Sequence, residues 1–110
     1  MTIKIKLAKS NLDQFTTKEK IIKLLNEYFS PIPINNTLGI QTKEWDFGQN
    51  VYKSNIIAML ESLPEVEDIS NLDIQAFANN HNYQVDDGGN IIVEDLILVH
   101  LKDVFISFVI

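Results

Sequence analysis

The chain has 110 residues, 45% hydrophobic and 22% charged, which suits one folded domain with a real core and excludes disorder along its whole length. A net charge of −6 and a sequence pI of about 4.7 oppose phosphate backbones and anionic lipid, so nucleic acid and membrane are not expected partners. With no cysteine there is no disulfide, no thiolate metal site and no cysteine nucleophile, a usage that fits the cytoplasm.

In chain order, Ile3, Ile5 and Leu7 alternate with Lys4 and Lys6, the period of a strand with one buried face. The alternation from Met1 to Ser10 does not read as a signal peptide. Lys4, Lys6 and Lys9 read as a solvated edge or face rather than a binding patch. Ser10 to Thr17 reads as turn material, and Thr16 with Glu19 as a capping box opening a helix. Ile21, Ile22, Leu24, Leu25, Tyr28 and Phe29 then recur at helical spacing, and Pro31 and Pro33 end the helix near Ser30.

From Pro31 to Asn50 there is no clear period, a long connection that suggests a functional loop or a hidden strand at Leu38–Ile40. Trp45 and Phe47 are large enough to pack such a loop down, and Gly48 tolerates a positive φ. Ser54 reads as the cap of a second helix whose buried stripe is Ile56, Ile57, Leu60 and Leu63, with Pro64 beyond its end. Ile69, Leu72, Ile74 and Ala76 suggest a strand. Asp86 to Asn90 is a turn signal between two strands, the second resuming at Ile91–Val93. Leu96 to Leu101 reads as a short helical turn, with strand as the alternative, and Val104 to Ile110 as a closing strand. The charges Glu94, Asp95, His100, Lys102 and Asp103 break the apolar C-terminal region, so it is no simple membrane span and the chain reads as soluble. The expected class is α+β, one small domain over 1–110 in the order β-α-loop-α-β-β, helices packed on a small mixed or antiparallel sheet.

Chemistry is hard to find in this pattern. His81 and His100 have no spacing that would put two imidazoles on one helical face, so no metal is expected. Glu65, Glu67 and Asp68 read as a charged link, and Asp86 and Asp87 as a solvated turn lacking the ligand pattern of a calcium loop. No serine sits in a nucleophile elbow, and Gly39, Gly48, Gly88 and Gly89 form no phosphate loop. The expectation is a protein that is not an enzyme, with no cofactor and no small-molecule substrate.

The segment Trp45, Asp46, Phe47, Gly48, Gln49, Asn50, Val51, Tyr52, Lys53, Ser54 resembles the "GWPFGR-x-(L/V)Y-x-S" stretch in the C-terminal region of baseplate J-like proteins. These are wedge components of contractile phage tails and related injection systems. Ile56, Ile57, Leu60 and Leu63 match the helix that follows. Leu63 to Ile69 resembles the family's "VPGV-x-x-V" element, and Asn71 to Ile74 its "L-x-L" strand. Asp46 stands where the family often has proline, Gln49 where it often has arginine, and Glu65 where it usually has glycine. Wedge proteins of this family are generally several times longer, so the match is to their C-terminal part.

The resemblance implies a structural assembly module that contacts other baseplate wedge subunits and copies of itself. It would be cytoplasmic during assembly and then part of a virion or phage-tail-like particle. The family-motif residues, with packing or interface roles, are Trp45, Phe47, Gly48, Tyr52, Ser54, Ile56, Leu60, Val66, Leu72 and Ile74; Phe105 is a further candidate anchor. The alternative is a small acidic binding protein, such as an immunity protein neutralising a basic toxin by charge complementarity.

Overall fold

The computed structural model describes residues 1–9, 12–30, 45, 48–76, 83–93, 99 and 101–109. The expectations for Leu38–Ile40, Phe47, His81, His100 and most of Leu96–Leu101 lie outside those residues.

Alternation in Thr2–Leu7 makes strand β1, with Ile3, Ile5 and Leu7 buried and Thr2, Lys4 and Lys6 exposed. Helix α1, Gln14–Tyr28, buries Ile21, Leu24 and Leu25 along one stripe. Its start differs from the expected capping box. Asp13 is the N-cap and accepts from the Phe15 N–H at 3.0 Å, while the Thr16 hydroxyl donates to the same carboxylate at 2.6 Å. A carboxylate one turn upstream thus satisfies the orphan amides and also favours the positive end of the helix dipole. Asp13's pKa is lowered, chiefly by the Thr16 hydroxyl, with backbone amides assisting.

Helix α2, Lys53–Glu61, presents Ile56 and Leu60 inward. Strand β2, Val66–Asp73, follows it directly. It begins before the expected Ile69 and stops short of Ile74 and Ala76. The reason lies in pairing: β1 and β2 run antiparallel from Thr2↔Asp73 to Leu7↔Val66, with register shifts at Lys4/Ile5 and Lys6/Leu7. Those irregularities break the alternation in β2 that a sequence pattern would show.

Strands β3, Tyr83–Val85, and β4, Ile91–Val93, form the expected hairpin across the Asp86–Asn90 turn. The closing strand β5, Phe105–Val109, lies parallel to β1 with Thr2 opposite Phe105 and Lys6 opposite Val109. The architecture is α+β: a mixed sheet in the order β2-β1-β5 beside the two-stranded β3–β4 sheet. Because β1 is the middle strand, its lysines stand on the solvent face and not along a sheet edge, as one of the two expectations had it. The core joins Ile3 and Ile5 to Ile21, Leu24, Leu25, Ile56, Leu60, Leu63 and Val66. At roughly 1.5–3 kcal/mol per fully buried aliphatic side chain, this cluster is the main stabilising element.

Candidate functional site

The segment from Trp45 to Ile74 bridges the body of the fold and the hairpin. Trp45 is 3% exposed, with its ring 4.7 Å from Phe29 and 5.2 Å from Tyr28 between centroids. Its backbone N–H donates to the Ser30 carbonyl at 2.9 Å. Trp45 is therefore pinned to the end of α1 by both packing and a backbone hydrogen bond. The indole Nε1 is buried with no acceptor among the described residues. Burial raises the Tyr28 hydroxyl's pKa, against a lowering hydrogen bond from Asn55 on α2.

Gly48, two residues before Asn50, has a φ of 72°, the left-handed region where a Cβ is costly. Val51 then exchanges both backbone hydrogen bonds with Ile91, at 2.8 and 2.9 Å, adding a one-residue bridge to the hairpin. On either side of it two asparagines tie the structures together. Asn50 Oδ1 accepts from the Val93 N–H at 2.9 Å, and its Nδ2 donates to the Tyr52 hydroxyl at 3.1 Å. Asn90 Oδ1 accepts from the Lys53 N–H at 2.8 Å.

That last bond corrects the expected cap. Tyr52 is the N-cap residue of α2 and makes no side-chain cap bond, and Ser54 is exposed within the first turn. The first amide is satisfied instead by Asn90, which is distant in sequence. Asp86 fixes Asn90 for this task. Its carboxylate accepts from the Gly88 N–H and the Asn90 N–H, both at 2.9 Å, and from Asn90 Nδ2 at 3.1 Å. With the amide nitrogen held by a carboxylate, the amide oxygen must face the Lys53 N–H. The Asn90 backbone N–H, then its side chain, hold the Asp86 carboxyl below its ordinary range. Gly89, at φ 78°, lies beneath the Lys53 side chain, where a Cβ would meet Nζ at 2.6 Å.

Glu65 has its own use. Its Oε1 pairs with Lys20 Nζ at 2.9 Å and its carbonyl accepts from the Ala8 N–H at 2.9 Å, joining α1, the α2–β2 turn and the end of β1. The Lys20 bond lowers the Glu65 pKa against desolvation, although Oε2 is buried without a partner among the described residues.

Of the residues singled out from the sequence, Trp45, Ile56, Leu60, Val66 and Leu72 are buried, and Ile74 packs partly buried against the core. Tyr52 is 39% exposed and Phe105 63% exposed. The structure thus separates Trp45, a core side chain, from Tyr52 and Phe105, which face outward. Sequence reasoning passed over Asn50 and Asn90; the one available signal was an asparagine closing a diglycine turn. Among the described residues no group of three or more histidines and carboxylates converges as a metal site, and no helix is long and apolar enough to cross a membrane. No family model, curated protein or solved structure gives a significant match to the chain.

Proposed function

We propose that the chain is a structural assembly module of a phage-tail-like baseplate wedge, acting through protein–protein contacts and without catalysis. The segment from Trp45 to Ser54 carries the reading. It resembles the wedge signature, and Trp45, Asn50, Val51 and Lys53 spend their contacts on packing and backbone hydrogen bonds. Exposed Tyr52, Val85 and Phe105 are left as apolar surface for neighbouring subunits.

On this reading the chain is made in the cytoplasm and ends in a virion or a related particle. Cross-linking in intact particles is the test: the chain should be recovered joined to other wedge subunits. Recovery only as a free cytosolic protein overturns it. The exposed carboxylates Glu67, Asp68, Asp73, Asp86 and Asp87 favour the second reading, an acidic protein that neutralises a basic toxin. Capture of a basic nuclease, lost at high salt, would establish that reading in place of the first.

A further inference from the structure

The two outer strands of the β2-β1-β5 sheet are built differently. Among the described residues no strand pairs with the outer side of either. Strand β2 carries Glu67, Asp68 and Asp73 and meets β1 through two register shifts, the charged and irregular features that discourage edge-to-edge pairing. Strand β5, Phe-Ile-Ser-Phe-Val, has no charge, no proline and no register shift against β1, and Phe105 is 63% exposed. Among the described residues it is the unguarded edge.

The direction of its backbone groups follows from the ladder. The Phe105 N–H donates to the Met1 carbonyl at 2.9 Å, so Phe105, Ser107 and Val109 address β1. Ile106 and Phe108 therefore turn their N–H and C=O groups away from the sheet. The strand is also symmetric in side-chain character about Ser107, with two apolar residues on each side.

We propose that β5 pairs antiparallel with β5 of a second copy of this chain, about a twofold axis at Ser107. In that register Ile106 of each copy faces Phe108 of the other as a hydrogen-bonded pair, so both outward donors and both outward acceptors are satisfied. Ser107 meets Ser107 as the close, non-hydrogen-bonded pair, where a small side chain fits. On the solvent face Phe105 covers Val109 of the other copy, an aromatic against a β-branched residue. The product is a continuous sheet β2-β1-β5-β5-β1-β2, an isologous interface. Its charge layout permits the union despite the net charge of −6 on each chain. The β2 carboxylates lie at the far edges, and the β1 lysines of the two copies are three strand spacings apart, roughly 14 Å, beyond the Debye length of about 8 Å. This proposal stands on the sheet edge alone and does not depend on the wedge reading.

Position 107 tests it in the full chain. Ser107 is exposed and stands beside Lys4 on β1, so circular dichroism checks that each variant keeps the fold. Sedimentation of the wild-type chain should show a concentration-dependent dimer. Ser107→Lys and Ser107→Glu should each weaken it at least about tenfold by placing like charges face to face, and an equimolar mixture of the two should restore it. Ser107→Cys, in a chain with no other cysteine, should give a covalent dimer on mild oxidation, because a non-hydrogen-bonded pair matches disulfide spacing. A wild-type chain that stays monomeric up to about 1 mM overturns the proposal. So does a dimer indifferent to both charge substitutions, or a β5 edge that takes an extended segment of another protein but not of a second copy.

Discussion

The sheet-and-helix body and the β3–β4 hairpin are stabilised by different physics. Strand β1 alone buries Ile3, Ile5 and Leu7, the first two in one core cluster with Ile21, Leu24 and Leu25 of α1, whereas Ile91 is the one buried residue among the hairpin's strand positions. Beyond Ile91 and the partly buried Tyr83 and Val93, the hairpin is attached through Asn50, Val51, Asn90 and the Tyr83 hydroxyl, which donates to the Ala76 carbonyl, and its turn is organised by Asp86. Hydrophobic burial is non-directional and tolerates small shifts. The hairpin's hydrogen bonds are directional, each worth roughly 0.5–1.5 kcal/mol, and fail one by one. The body should therefore unfold globally, and the hairpin should detach locally at lower free energy.

The largest expected effect is in the body. Ile5→Ala should lower unfolding free energy by about 2–5 kcal/mol in chemical denaturation, because a fully buried side chain leaves a cavity under the central strand. Equal loss from Val85→Ala, on the exposed side of the hairpin, would break the comparison. Asn90→Ala comes next, at about 0.5–2 kcal/mol, the range of a lost helix cap. Its signature is local: hydrogen exchange should quicken at Val51, Lys53 and Val93 while the β1 amides keep their protection. Uniform acceleration would show that the two regions form one cooperative unit.

Acid sharpens the distinction further. Asp86 has a lowered folded pKa, so its contribution is complete above its ordinary value of 3.8 and is lost as pH falls through the lower folded value. Glu65 behaves likewise from its ordinary 4.5, with Lys20 as the main cause. Side-chain carboxyl titration by NMR should give both groups apparent values below those ordinary ones. Hairpin amides should lose protection as Asp86 protonates, before the core unfolds. The smallest effect belongs to Ser54→Ala, within about 0.5 kcal/mol, since an exposed first-turn serine is not the cap of α2. A loss near 1 kcal/mol would restore it as one.

What could be read in the sequence follows the same division. Apolar periodicity locates β1, α1 and α2 because burial leaves a repeating trace at Ile3/Ile5/Leu7 and Ile21/Leu24/Leu25, and β5 reads from its apolar, β-branched composition. Gly48 and the Asp86–Asn90 turn were legible because their backbone needs restrict residue choice. The cap of α2 was not, since its acceptor on Asn90 arrives from another element and no local motif records it. The start of α1 was misread because Asp13 and Thr16 share one hydrogen bond, and Thr16 with Glu19 imitates a capping box one turn later. The order β2-β1-β5 was equally hidden, because side-chain alternation reports which face is buried and not which strand lies beside which. Of the candidate site, the anchoring role of Trp45 was legible from its bulk; the asparagine ties were not.

The parallel pairing of β1 with β5 has a consequence for synthesis. Thr2 must wait for Phe105 before the sheet can complete, and ribosomes add roughly 5–20 residues per second, so the interval is about 5–20 s. Throughout it, a nascent β1 has one edge without its eventual neighbour, a period when foreign strands can pair there. Lys4 and Lys6, which among the described residues make one ion pair, Lys6–Glu67, place charge beside that edge during the wait. Replacing both with threonine should therefore appear first as aggregation during expression and only faintly in the stability of what has already folded.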